Sequence, residues 1–513
     1  MAANPENPGC PIDAVRTRLS EAGVRAGPLR EVLALLARGA ALDELVRRTA
    51  VPRRTVEELL EAAGGDVESS ADGHQLTAEA RERYRAEFGL RDVPDDPRAD
   101  EDDLLGLVRQ FVTSAPRAKS ELDHVSATPE TVLNRARWLR RNYELQGARV
   151  LCLGDHDLTS LAVALVEPSA ELTVVDLDEQ VLAHIDAVAA ERGLAVRTLH
   201  ADLRFGLPPA AEGWADLVFT DPPYTPEGVG LFAARAARCC SGPASRILLA
   251  YGHSDRAPAL GLKVQQQLLR AGLVFEAIHP GFHRYVGAQA IGSASDLYVC
   301  QPTSQARKLD PRRAPGIYTH GPQSVESGAS LRAEDVGEVF GEPVGALARP
   351  GWDQPRNAPA LEAPAVFDLT ADPGPWLLRM LLACNASRVA FAVDNNHPDT
   401  TSASAQSGLS QLVAAKFALT FHRSTPDSRH ALVLAESTAD ESAAARLLSR
   451  AHGKLGNTWR EALVAATGAT KRAAAEHVRT RAPRTDDLDL RLIDLPRHRL
   501  AAVVRTATER PNG

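Results

Sequence analysis

The chain is predicted to be α/β. A Rossmann-like parallel sheet stands at its centre, preceded by a winged-helix domain and followed by a smaller α/β domain. Two observations carry that prediction. From residue 147 to about 302, short buried apolar runs alternate with helical segments, and four of the runs lead into an aspartate: Asp155, Asp176, Asp202 and Asp221. Ahead of them stands a helix, helix, helix, hairpin order.

Composition bounds the function. The 513 residues are 44% hydrophobic and 24% charged, which excludes a wholly disordered chain. Aromatics are only 5%, so the cores rest on Ala, Val and Leu. The net charge of -8 argues against strong non-specific nucleic-acid binding and suits a cationic small substrate. Six cysteines (Cys10, Cys152, Cys239, Cys240, Cys300 and Cys384) form neither CxxC pairs nor zinc spacing. They are expected to be reduced thiols of a cytoplasmic protein. The opening MAANPENPGCPID has no basic and no apolar region, so a signal peptide is not expected. No apolar run is long enough to predict a membrane span.

The elements follow in order. Residues 1–27 are expected to be an N-terminal tail. Over 28–90, Leu29, Val32, Leu33 and Leu36 repeat at helical spacing, and two short helices meet near Val51–Pro52. A hairpin turning at Asp72–Gly73 completes the winged-helix pattern. Arg53 and Arg54 could face phosphates. Glu57, Glu58 and Glu61 on the same helix would repel them, so a docking or dimerisation role is favoured and nucleic acid is an unexpected partner. Residues 91–103 are acidic and Pro-rich, an expected linker. A second Pro/Gly-rich linker is expected over 306–363. After it, VAFAVDN is a strand, SQLVAAKFAL a helix and ALTFHR…HALVLAES a hairpin. LRLIDLPRHRLAAVVR is expected to give a last strand and helix, ending a separate α/β domain over 364–513. Its one polar cluster, DNNHPDTT (Asp394 to Thr401), is expected to be an ordinary loop. A chain ending near residue 305 is therefore expected to keep its transfer activity if it folds.

The chemistry concentrates over 104–305. ARVLCLG is a strand ending at Gly154, and its turn reads Gly-Asp-His-Asp. That turn lacks the further glycines that admit a pyrophosphate, and its carboxylates would repel one. Asp176, at the end of the second strand, can take both ribose hydroxyls, with Asp178 beside it. Asp202, after the third, is placed to accept from an adenine amino group. The layout is that of an S-adenosylmethionine-dependent transferase. Asp155 and Asp157 would repel the carboxylate of the intact cofactor but attract the ammonium of decarboxylated S-adenosylmethionine. Either aspartate could instead simply cap the next helix. Asp221-Pro222-Pro223-Tyr224 is a rigid turn that can orient an amine nitrogen, with Tyr224 covering it. No metal spacing is found; His200, His253, His279 and His283 are expected to be structural.

Together with Asp123, Thr128, Glu130, Thr131 and Arg135 upstream, the segments LGDHDLTS, VVDLDE, ADLR, FTDPPYTPEG and YVGAQAIGSASDLYV resemble the branched-chain polyamine synthases, the bis(aminopropyl)spermidine synthase family. The resemblance covers about residues 120–302 plus the winged-helix element. It implies transfer of aminopropyl groups from decarboxylated S-adenosylmethionine, as co-substrate, to a polyamine such as spermidine, with release of methylthioadenosine. It implies Asp123, Glu130, Pro222, Pro223 and Tyr285 as acceptor contacts. An aspartate of the acidic turn would take the amine proton. Here His156 replaces the family's middle aspartate. Asp157 is expected as the base, Asp221 as the group positioning nitrogen and Asp155 as the partner of the donor ammonium; His156 is the alternative base, since an imidazole titrates near neutrality. A homodimer is left open. A methyltransferase acting on an amine or DNA base, or a non-catalytic ligand sensor, are the other readings these residues allow.

Overall fold

The computed structural model describes residues 10–49, 51–70, 73–90, 101–254, 256–287, 293–309, 316–319, 331–340, 344, 346–356 and 365–509. Asp72 of the predicted turn, residues 91–100 of the acidic linker, much of the second linker, and residues 288–292 of the YVGAQAIGSASDLYV segment lie outside the described residues.

The N-terminal unit comprises α1 (Pro11–Ala22), α2 (Gly27–Leu36), α3 (Leu42–Thr49), α4 (Arg53–Ala63), a hairpin of β1 (Val67–Ser70) with β2 (Gly73–Leu76), and α5 (Ala78–Phe88). The expected tail is thus corrected: residues 11–22 are helical, because Val15 and Leu19 fall on one face and are buried against the unit's core. The linker shortens too, since α6 (Glu101–Ser114) already begins at residue 101.

The central unit follows with α7 (Pro129–Asn142), β3 (Arg149–Leu153), α8 (Thr159–Val166), β4 (Glu171–Asp176), α9 (Glu179–Arg192), β5 (Val196–His200), β6 (Leu217–Thr220), α10 (Pro226–Cys239), β7 (Arg246–Tyr251), α11 (Pro258–Arg270), β8 (Leu273–Arg284) and β9 (Ala294–Pro302). Its seven strands are ordered β5-β4-β3-β6-β7-β9-β8, the first five parallel and β9 and β8 antiparallel. β3, β6 and β7 are buried almost throughout, as strands covered on both faces must be. Thr128 and Thr225, each followed by proline, cap α7 and α10 by accepting from Thr131 N and Gly228 N. The chain reverses its direction of growth at β3, which opens a crevice at the carboxyl ends of β3, β4, β5 and β6.

The C-terminal unit contains α12 (Ala333–Phe340), β10 (Ala365–Leu369), α13 (Trp376–Ala383), β11 (Arg388–Asp394), α14 (Ala403–Val413), β12 (Phe417–His422), β13 (His430–Ser437), α15 (Ala443–Ser449), α16 (Leu455–Thr467), α17 (Lys471–Arg481) and α18 (Arg497–Thr508). Its sheet runs β10-β11-β13-β12, with only β10 and β11 parallel. The expected last strand at LRLIDLP is a tight helical turn (Leu492–Asp494) instead, with another just ahead of it at Asp486–Asp489. Leu490, Leu492, Ile493 and Leu495 are buried there, and a short apolar run alone does not distinguish strand from buried turn. Nor is this unit separate. One apolar cluster runs from Leu151, Val218 and Leu249 of the central sheet to Phe367, Leu381 and Phe391. Charged contacts reinforce it: Glu179, in the first turn of α9, accepts from Arg379 and from the backbone of Arg497, and His498 meets Asp186 at 2.9 Å. A chain ending near residue 305 would lay this core bare, which corrects the expectation of a separate C-terminal domain.

Part of the second linker returns to the crevice. Thr225 Oγ1 donates to Ile317 O at 2.6 Å, and Thr319 donates to Asp123 through both its N–H and its hydroxyl, at 2.7 and 2.6 Å. Gly228 lies under this strap: a Cβ there would stand 2.7 Å from Pro223 O and 2.9 Å from Ile317 O. Gly228→Ala is expected to lower stability by about 1–3 kcal/mol, the usual cost of overpacking. Urea unfolding measures it; an unchanged midpoint would show that the strap yields.

Candidate active site

At the carboxyl ends of the parallel strands lies a cavity of about 320 Å³. Asp123, Asp155, Asp157, Asp176, Asp202 and Asp221 all line it, and Arg135 is the one arginine or lysine among the described lining residues. His156, Pro222, Pro223, Tyr224, Tyr285 and Gly154 line it as well. The sequence thus brings to one cavity most of the residues assigned to it. Two are elsewhere. Asp178 caps α9 through Gln180 N at 2.9 Å and pairs with Lys119 at 2.8 Å. Glu130 sits on the exposed start of α7, where the Arg109 guanidinium at 2.8 Å holds its carboxyl below the usual range. Neither lines the cavity, because each follows its helix's N-cap geometry rather than the crevice.

Arg135 organises the end of the cavity formed by Asp157 and Asp221. It projects from α7 and is fully buried. Its Nη1 donates to Asp157 at 2.9 Å and to Thr159 at 3.2 Å, its Nη2 donates to Asp221 at 2.7 Å, and its Nε donates to His283 at 3.1 Å. Burial opposes the guanidinium charge, but Asp157 and Asp221 outweigh it and raise its pKa. Asp157 also accepts from Ala127 N at 2.7 Å, so each of its oxygens is engaged. Asp221 takes Tyr224 OH on Oδ1 at 3.0 Å and Tyr285 OH on Oδ2 at 2.7 Å. Burial raises the Asp221 carboxyl and keeps both phenols protonated, hence donors. By lone-pair count Oδ1 of Asp221 can accept one more bond.

The turn after β3 is shaped by Gly154, whose φ of 70° suits a residue without Cβ. Asp155 accepts from Ser160 N at 3.1 Å, so it does cap α8 while lining the cavity. Burial pushes its pKa up to about 7. Asp176 is fixed by Asp155 N at 2.8 Å and Asp178 N at 2.7 Å, and burial pushes it to about 6. His156 stacks on His124, with ring centroids 4.2 Å apart, and its Nε2 lies 3.3 Å from Ser126 Oγ. Burial, then the neighbouring His156, drive His124 down to about 3, so it stays neutral. His124, Tyr318 and Thr319 are lining residues the sequence did not single out. His124 gives no signal beyond a lone histidine, and the strap is a short run inside a Pro- and Arg-rich segment.

Two outcomes follow from this electrostatics. Removing the Arg135 charge strands two buried carboxylates, so Arg135→Met is expected to cost about 3–5 kcal/mol in urea unfolding. A loss below ~1 kcal/mol would show that the carboxylates find other partners. Asp155 and Asp176 have folded pKa values above the ordinary 3.8, so the folded state binds more protons than the unfolded one. Their contribution to stability is full below about pH 4 and is lost as pH rises through about 6 and 7. Asp155→Asn is expected to flatten that decline across this window, measured as unfolding midpoints against pH.

Residues 103–301 match the branched-chain polyamine synthase A C-terminal domain. An uncharacterized protein of Methanocaldococcus jannaschii is 32% identical over 218 residues, which is 42% of this chain and 54% of that protein. The N(4)-bis(aminopropyl)spermidine synthase of Thermus thermophilus is 32% identical over 170 residues, 33% of this chain and 50% of that enzyme. The chain spans about half the length of these relatives. Among solved structures, a C9 mutein of the Thermus thermophilus branched-chain polyamine synthase, in complex with N4-aminopropylspermidine and 5'-methylthioadenosine, aligns with a TM-score of 0.39 at 23% identity. That alignment covers 62% of this chain and 99% of the mutein. The similarity to the branched-chain polyamine synthase A C-terminal domain thus covers residues 103–301, less than half of the chain.

Proposed function

We propose that the chain transfers an aminopropyl group from decarboxylated S-adenosylmethionine to an amine nitrogen of a polyamine, releasing methylthioadenosine. The observation that carries this reading is the charge of the cavity: six aspartates against Arg135, around a rigid Asp-Pro-Pro-Tyr turn. Such a lining attracts a polycation and disfavours the carboxylate tail of an intact S-adenosylmethionine.

The roles follow from the geometry. Asp176, held by two backbone amides, meets the ribose hydroxyls. Asp155 meets the donor ammonium. Asp221 uses its remaining lone pair to orient the acceptor N–H, with Tyr224 and Tyr285 fixing the carboxylate and Pro222 and Pro223 keeping the turn rigid. The nitrogen lone pair attacks the carbon beside the sulfonium. The carbon–sulfur bond breaks, its electron pair stays on sulfur, and the nitrogen sheds a proton. Asp157 is not the recipient in this reading, since both its oxygens are already engaged, one by Arg135 and one by Ala127 N. His156 lines the same cavity and is the base in this reading. The N-terminal unit is proposed as a docking module of winged-helix type. Arg53 and Arg54 are paired with Glu57 at 2.9 Å and Glu58 at 3.2 Å rather than free for phosphates. A cytoplasmic location accords with six free thiols, five of them buried.

The test is incubation with decarboxylated S-adenosylmethionine and a panel of polyamines, with mass detection of methylthioadenosine and products. Methyl transfer from intact S-adenosylmethionine alone would overturn the reading. The cationic donor needs Asp155 ionised, so its affinity is expected to rise with pH through about 7 while that of uncharged methylthioadenosine stays level; calorimetry near pH 6 and near pH 8 compares them. His156→Gln is expected to lower turnover by ~10²–10⁴ with donor affinity kept, and to abolish the acid limb an imidazole base imposes on kcat. A dead Asp157→Asn beside a His156→Gln with the parental pH profile would return the proton to Asp157.

A further inference from the structure

We propose that the C-terminal unit is part of the donor site, with Trp376 a positioning residue that sets the nucleoside wall of the cavity through Asp202, Arg204 and Tyr318. The inference rests on reading the cavity as a nucleoside site. It begins from the lone pairs of Asp202. A carboxylate offers about four acceptor positions. Oδ1 accepts from Arg204 N and Arg204 Nε, both at 2.9 Å. Oδ2 accepts from Arg204 Nη2 and, at 3.0 Å, from the indole N–H of Trp376. All four positions are used. Asp202 is therefore a joint between the central and C-terminal units, which corrects its expected role as acceptor for an adenine amino group.

The joint reaches the cavity surface. The Arg204 guanidinium lies 4.9 Å from the ring centre of Trp376 and 5.4 Å from that of Tyr318. Tyr318 lines the cavity beside Ala201 and Leu203. Trp376, Arg204 and Tyr318 thus form one layer behind the wall that faces the end of β5. Trp376 is itself pinned. It opens α13, whose first turn is capped by Asp372 through Gly374 N at 2.7 Å, Trp376 N at 2.9 Å and Leu377 N at 2.8 Å. Buried His397 holds Asp372 at 2.9 Å. The DNNHPDTT loop, expected to be ordinary, acts on the cavity through that pair. The matched family domain, residues 103–301, contains Asp202 and Arg204 but neither Trp376 nor Tyr318.

The test uses the full chain and 5'-methylthioadenosine as probe. Hydrogen exchange on the unaltered protein is expected to show slowed amides both in 154–176 and in 376–383 when the nucleoside is added. Protection of 154–176 with α13 unchanged would overturn this inference and leave the reading of the site intact; no protection in either would overturn both. Trp376→Phe keeps an aromatic ring and loses the N–H. Its methylthioadenosine affinity is expected to fall ~10-fold, the worth of one hydrogen bond to a charged group. The acceptor KM should not move; the thermal midpoint is expected to fall with the lost buried hydrogen bond, so affinity is read well below it, where the protein is fully folded and a residue that only supports the fold would leave the affinity unchanged. Unaltered nucleoside affinity in Trp376→Phe would overturn the proposal.

Discussion

The site depends on one buried cation. Arg135 comes from α7, Asp157 from the turn after β3, and Asp221 from the turn after β6; the guanidinium ties all three segments at 2.9 and 2.7 Å. Burying any one of these charges alone would be costly. Together they leave a net single negative charge facing the cavity, and they leave it in a fixed place. Any cation entering from water finds that charge already desolvated and oriented, so little reorganisation is left on binding.

The same economy of protons governs the rest of the cavity. Burial raises Asp155, Asp176 and Asp221, and it keeps Tyr224 and Tyr285 protonated. The phenols therefore always donate, and the carboxylates near their titration range respond to the charge of what binds. His124, which burial keeps neutral, stacks on His156 at the cavity wall.

Much of this was legible in the sequence because β-strands buried on both faces read as short apolar runs, and because the chemistry of such a sheet sits at its carboxyl ends. Gly154, Asp155, Asp176 and Asp221 follow directly from that rule. What was not legible is long-range pairing. Glu130 and Asp178 carry the right chemistry but belong to helix starts. Asp202 has the right address, but its lone pairs are consumed by Arg204 two residues on and by Trp376 far downstream. The helical N-terminal residues 11–22 hide behind a Pro-rich opening. The end of the C-terminal unit reads as strand because Leu490, Leu492 and Ile493 are as buried as strand residues.

The core shared by the central sheet and the C-terminal unit bears on how the protein comes into being. During synthesis the seven-stranded sheet is complete once β9 has been made, yet Trp376 follows more than seventy residues later. At ~5–20 residues per second, that is a delay of ~4–15 seconds in which Leu151, Val218 and Leu249 lack their C-terminal covering and Asp202 lacks its indole partner. A nascent chain in that interval exposes apolar surface and lacks the layer behind the end of β5. The apolar covering of the central sheet and the indole partner of Asp202 thus arrive at the same late step.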